Sequence, residues 1–146
     1  MLDEQGTYNF GIYLDRTLKA VRVDLHRRFK ELGVDITPEQ WALLSFLYKR
    51  DGMSQAELAG SSYKDAPTVS RIIDLLDKKQ LVERVRLKED RRSHQIVITT
   101  AGKATVEKVL PAVLESRKKG WAGLSADDHV QFLRIIDRIF QNFGEE

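Results

Sequence analysis

The sequence predicts a mainly α-helical fold that carries one small β-hairpin. Three observations predict it. Apolar residues recur at three- and four-residue steps through most of the 146-residue chain. Serine, threonine and aspartate stand where helix starts need caps. Only two short alternating runs, 81–87 and 95–99, break the helical rhythm, and a charged loop separates them.

Leu14, Leu18, Val21, Leu25 and Phe29 form one apolar stripe, with Arg22, Arg27, Arg28 and Lys30 between them. This is an amphipathic helix, and it should end near Gly33, where glycine accepts the left-handed conformation that closes a helix. A second helix opens at Thr37-Pro38-Glu39-Gln40, with Thr37 as cap, Pro38 in the first turn and Gln40 reaching back as in a capping box. Its buried side is expected at Trp41, Leu44 and Leu47 or Tyr48. Asp51-Gly52 breaks it. Ser54-Gln55-Ala56-Glu57 caps a short helix to about Ala59 or Gly60, and Ser61-Ser62-Tyr63-Lys64 reads as a turn.

A fourth helix starts at Asp65 or Ala66, has Pro67 in its first turn and runs to about Lys79, with Val69, Ile72, Ile73 and Leu76 inside. In the run after it, Val85 and Leu87 alternate with Arg84 and Arg86; the loop from Lys88 to His94 leads to the β-branched run 95–99. Thr99 or Thr100 caps a long helix to about Trp121, striped by Val106, Val109 or Leu110, and Val113 or Leu114. Ser125-Ala126-Asp127-Asp128 caps the last helix, striped by Phe132, Ile135 or Ile136, Ile139 or Phe140, and Phe143.

A short helix, a turn, a longer helix and a hairpin with a basic tip make up a winged helix-turn-helix. The expected lobe is 37–99, with 1–36 and 100–146 as a helical region built from both chain ends. Packing the Val69/Ile72/Ile73/Leu76 stripe inward leaves Pro67, Arg71, Asp74 and Lys78 on a free face, flanked by Thr68 and Ser70. Such a face fits a major groove. Arg71 is the first choice for a base or phosphate contact because its planar fork suits both, with Lys64, Thr68 and Ser70 in support. Lys88, Arg91 and Arg92 of the wing would enter the minor groove. Asp90 would orient a neighbouring arginine.

The charge distribution agrees with this placement. Residues 1–15 hold three acids and no base, and residues 121–146 hold five acids and two bases, whereas the middle holds 22 bases and 14 acids. A basic centre between acidic ends suits a polyanion-binding module whose ends serve self-association. The absence of cysteine excludes disulfides, thiolate metal sites and thiol redox sensing by the chain itself. No phosphate-binding glycine loop, His-Glu-x-x-His or serine elbow is present, and His26, His94 and His129 are scattered, so neither an enzyme nor a metal or other cofactor is expected. No apolar stretch approaches the roughly 18 residues of a membrane span, and Met1-Leu2-Asp3-Glu4 is acidic where a signal peptide is basic, so the chain reads as soluble and cytoplasmic.

From Leu58 to Lys103 the sequence resembles the MarR (multiple antibiotic resistance regulator) family. The residues that carry the resemblance are Leu58-Ala59, Asp65 with Thr68-Val69-Ser70-Arg71, Leu81-Val82-Glu83-Arg84, Asp90-Arg91-Arg92 and Ile98-Thr99-Thr100-Ala101-Gly102. The resemblance implies a homodimer with two DNA lobes and repression relieved by a small ligand. It places Ser70 and Arg71 on the recognition helix, Arg92 on the minor-groove arginine and Asp90 on its orienting carboxylate. Two positions depart from the pattern: Leu75 stands where another arginine is common, and Gln80 where glycine ends the recognition helix. A left-handed Gln80 would cost about 1 kcal/mol relative to glycine.

The terminal helices leave an apolar surface at Tyr8, Phe10, Tyr13, Phe132, Ile136, Phe140 and Phe143 that a two-fold interface would cover, matching a palindromic operator with half-sites about 10 bp apart. The resemblance also implies a cleft between dimer helices and lobe. Arg22, His26 and Trp41 are the candidates for its wall, and an aromatic acid would match arginine and tryptophan at its two ends. The competing reading is a winged helix used for protein contacts without DNA readout, favoured by Leu75 and the modest net charge of +2.

Overall fold

The computed structural model describes residues 9–87 and 94–144. Its elements are α1 (Phe10–Glu31), α2 (Pro38–Lys49), β1 (Met53–Ser54), α3 (Gln55–Ser62), α4 (Ala66–Lys78), β2 (Val82–Arg86), β3 (His94–Ile98), α5 (Thr100–Gly120) and α6 (Ala126–Asn142). The fold is mainly helical with one small antiparallel sheet of order β1-β3-β2. β1 was not expected, because a strand of two residues is too short to show alternation. Met53 pairs with Ile96 and Ser54 with Gln95. Asp51 prepares this pairing: its Oδ1 accepts from the Gly52 and Ile98 amides, both at 2.9 Å.

The caps follow the sequence closely. Thr37 and Gln40 form a reciprocal capping box on α2, and Ser125 and Asp128 form another on α6. Asp65 caps α4 by accepting from the Thr68 amide at 2.8 Å. Ser54 makes only half a box, since it accepts from the Glu57 amide while the Glu57 carboxylate turns to Arg50. α3 runs to Ser62, past its expected end, with the Ser62 hydroxyl donating to the Leu58 carbonyl at 2.6 Å. The turn then falls on Tyr63, which is left-handed at φ 55°.

Gln80 is also left-handed, at φ 60°. The turn it makes is bonded on both sides: the Leu81 amide donates to the Leu76 carbonyl at 3.0 Å, and the Thr99 hydroxyl donates to the Gln80 carbonyl at 2.8 Å. Thr99 also caps α5, accepting from the Gly102 amide. Glycine is required at 102 because a Cβ there would lie 2.2 Å from the Leu81 carbonyl oxygen and 2.7 Å from Ile98 Cγ1. Thus the end of α4, the start of β2 and the start of α5 are closed on one another.

One apolar core includes Phe29 of α1, Trp41, Leu44 and Leu47 of α2, the Val69/Ile72/Ile73/Leu76 stripe of α4, Ile96 of β3 and Val106, Val109 and Val113 of α5. Tyr48 stays exposed, and its hydroxyl donates to Glu107. α1 and α5 are joined by a polar hub as well. Asp24 accepts from Arg28 at 2.7 Å, Ser116 at 2.7 Å, Arg27 at 2.8 Å and Lys119 at 3.1 Å. The Arg28 bond, followed by that from Ser116, holds the Asp24 carboxyl far below the usual carboxylate range.

α6 buries no residue in the single chain. Its corner with α5 is fixed by Trp121, which stacks on His129 at 4.1 Å between centroids and meets Phe132 edge-on at 5.6 Å.

Candidate nucleic-acid interface

α4 has the two faces its sequence predicts. Asp65 and Pro67 start it, and the Thr68 amide keeps the Asp65 carboxyl below its ordinary pKa. Its inner stripe is fully buried, which leaves Pro67, Arg71, Asp74 and Lys78 exposed, while Lys64, Thr68, Ser70 and Leu75 are half-buried.

Two of the outer side chains are engaged within the molecule. Arg71 donates through Nη2 to Glu39 of α2 at 3.3 Å. Asp74, expected to be free, is held by Arg84 of β2 at 2.6 Å. Arg84 also lies 3.9 Å from Asp77 and donates through Nε to Gln55 of α3 at 3.3 Å. One guanidinium therefore braces the wing base against both helices of the helix-turn-helix. It also cancels the carboxylate that would most repel a phosphate near the middle of α4. Sequence reasoning missed Arg84 as a functional residue, although the Leu81-Val82-Glu83-Arg84 run contained the signal.

A second tie sets the far end of α4. Lys79 Nζ donates to the Asp35 carbonyl at 2.7 Å and to Gln40 Oε1 at 2.9 Å. α4 is thus attached to the start of α2 at two places two turns apart.

β2 and β3 pair from Val82↔Ile98 to Arg86↔His94. The face that carries buried Val82, Ile96 and Ile98 also carries Arg84, so this face of the hairpin turns toward α4. Arg86 and His94 occupy its last rung. The expected wing-tip contacts Lys88, Asp90, Arg91 and Arg92 lie outside the described residues, as does Tyr8 of the expected dimer surface.

The other expected dimer residues are on the surface. Phe10, Tyr13, Phe132 and Phe140 are 37–46% exposed and Phe143 is 76% exposed, while Ile136 is half-buried. Within the chain Phe10 meets Phe143 at 6.4 Å, and Phe140 meets Tyr63 edge-on at 5.5 Å. The second contact brings the end of α6 to the turn before α4.

Arg22 and His26 both line a groove of about 560 Å³ between α1 and the start of α2, together with Leu18, Lys19, Pro38 and Glu39. Trp41 is not on this wall. It is 7% exposed and packs at 6.4 Å against Phe29, so it belongs to the core, with its ring filling the space between α1 and α2. Among the described residues no cluster of His, Asp and Glu is arranged to hold a metal ion, and no helix is long and apolar enough to cross a membrane.

The model of the MarR family matches residues 36–94. The chain is similar to the uncharacterized HTH-type transcriptional regulator YsmB of Bacillus subtilis (strain 168), 29% identical over 99 residues that make up 66% of this chain and 68% of YsmB. The crystal structure of transcriptional regulator PA3341 aligns at TM-score 0.76 and 30% identity, covering 92% of this chain and 97% of that one. The fold is also that of MepR from S. aureus, in its crystal structure as a DNA complex, at TM-score 0.85 and 23% identity over 92% of this chain and 98% of MepR.

Proposed function

This chain belongs to the MarR family and is a DNA-binding transcriptional regulator with a winged helix-turn-helix, and from that premise we propose that it acts as a homodimeric repressor, reading a palindromic operator and releasing it when a small anionic ligand binds. The family is one of regulators rather than enzymes. The observation that carries the proposal is the exposed outer face of α4, on which Arg71 is half-exposed and Asp74 is neutralised by Arg84. In this reading Arg71 contacts a base edge or phosphate, Lys64, Pro67, Thr68 and Ser70 pack against the groove wall, and Lys88, Arg91 and Arg92 enter the minor groove with Asp90 as orienting partner.

Dimerisation supplies the second half-site. The uncovered rings of α6 and of the start of α1 form the apolar surface that a two-fold partner would bury, which is why we assign Phe10, Tyr13, Phe132, Ile136, Phe140 and Phe143 to that interface. Tyr8 belongs to the same reading. The ligand site proposed is the α1–α2 groove: Arg22, His26 and Lys19 offer donors for a carboxylate, and Leu18, Val23 and Pro38 offer apolar wall for a ring. An aromatic acid remains the ligand class, with Leu18 and Pro38 in the role first expected of Trp41. A cytoplasmic location accompanies this function.

The test is selection of bound fragments from the source genome, followed by footprinting. A dimeric reader should recover inverted half-sites about one helical turn apart. Recovery of no common sequence, with a partner protein captured through the α4 face instead, would favour the protein-contact reading.

A further inference from the structure

Glu39 stands in the first turn of α2 and serves two surfaces. It is one of the residues that line the groove with Arg22 and His26. It also accepts from Arg71 at 3.3 Å, and among the described residues no other carboxylate lies within ion-pair distance of Arg71. The Nη2 donor given to Glu39 cannot be given to DNA at the same time, so the pair and a DNA contact through that donor compete. Resting on the reading that α4 enters the major groove, we propose that Glu39 competes with DNA for Arg71 and so sets how strongly Arg71 contributes to binding and to sequence preference.

The magnitude follows from the geometry. Arg71 is 55% and Glu39 37% exposed, and a single long hydrogen bond joins them. Exposed pairs of this kind change an equilibrium constant by a factor of about 1.5 to 5. DNA breaks such a contact easily, and the contact shifts the affinity by no more than that factor. Breaking it leaves the Glu39 carboxylate unpaired beside the groove. An anion seated against Arg22 and His26 repels that unpaired carboxylate more than the paired one. Anion and DNA therefore oppose each other through one residue, and the coupling has the same size in both directions.

A double-mutant cycle tests this without any ligand. Wild type, Glu39→Gln, Arg71→Ala and the double variant are titrated with the same operator duplex at fixed salt, and thermal melting checks that each is folded. Glu39→Gln should tighten binding by about two- to fivefold, and the gain should vanish in the Arg71→Ala background. Glu39→Asp, which keeps the charge at the helix start but shortens the reach, should give a similar gain. Equal gains in both backgrounds would reveal a general effect of removing negative charge near DNA and would overturn the proposal. No gain, or a loss, in the presence of Arg71 would overturn it too. If Arg71→Ala alone leaves affinity unchanged, the reading of α4 fails first and the competition fails with it.

Discussion

Arg84 of β2 and Asp74 of α4 meet at 2.6 Å, across the junction between wing and recognition helix. The Arg84 side chain is 25% exposed, bonds Asp74 and Gln55 and lies within ion-pair distance of Asp77, so it fixes the angle between the two surfaces proposed to meet DNA. Arg84→Ala is expected to lower stability by about 1 kcal/mol and to weaken operator binding further than that loss of stability explains. Arg84→Lys should not restore binding, because an ammonium cannot bond Asp74 and Gln55 with one rigid fork. Urea melts and gel-shift titrations on the two variants check both statements.

Gly102 allows α5 to start directly beneath the Leu81 carbonyl. A methyl group there meets backbone at 2.2 Å, which no side-chain rotation relieves. Gly102→Ala should destabilise the chain by about 2 to 3 kcal/mol. Chemical denaturation measures it, and a loss below about 0.5 kcal/mol would show that the α4–β2–α5 closure is looser than described.

Gln80 offers a gain instead of a loss. Its backbone is left-handed at φ 60°, its side chain is exposed, and the bonds of the turn use only backbone atoms of residue 80. Gln80→Gly should stabilise by up to about 1 kcal/mol, read as a rise in Tm with no change in DNA affinity.

The Asp24 hub gives a pH dependence whose sign is fixed. Its folded pKa is depressed, so its contribution is complete above the ordinary carboxylate value of 3.8 and declines as pH falls below it. Asp24→Asn should be less stable than wild type at pH 7, by about 1 to 3 kcal/mol. That gap should narrow as both proteins are taken below about pH 4. A gap constant from pH 7 to pH 3 would contradict the role given to Asp24.

Much of this fold was legible because its signals are local. Thr37, Asp65 and Ser125 announce helix starts through bonds that span three residues, and the α4 stripe announces its buried face through period alone. Gln80 stood out only through the family resemblance, which leaves open an altered turn; the structure keeps the left-handed turn with glutamine in it. The strand Met53–Ser54 was not legible, since its only signature is pairing with residues more than 40 positions away. The same reason hid the contacts of Asp74 and Glu39 and those that Asp24 makes with Ser116 and Lys119, because these partners lie on other elements. Trp41 was ambiguous for a different cause: an aromatic residue at helical spacing suits a pocket wall and a core equally, and only its packing on Phe29 decides. For the candidate interface, sequence identified the helix and its outward residues but not which of them are already held.

The most direct test of the central claim, that the outer face of α4 sits on a double helix, is the salt dependence of operator binding by wild type and Arg71→Ala. The wild-type affinity should fall steeply with salt, with a log-log slope of about −0.9 per neutralised phosphate. Arg71→Ala should lose about 1 to 3 kcal/mol on the operator and much less on unrelated duplex, which reduces discrimination between them. Binding that ignores salt, or an Arg71→Ala variant that separates operator from unrelated DNA as well as wild type does, would contradict the account.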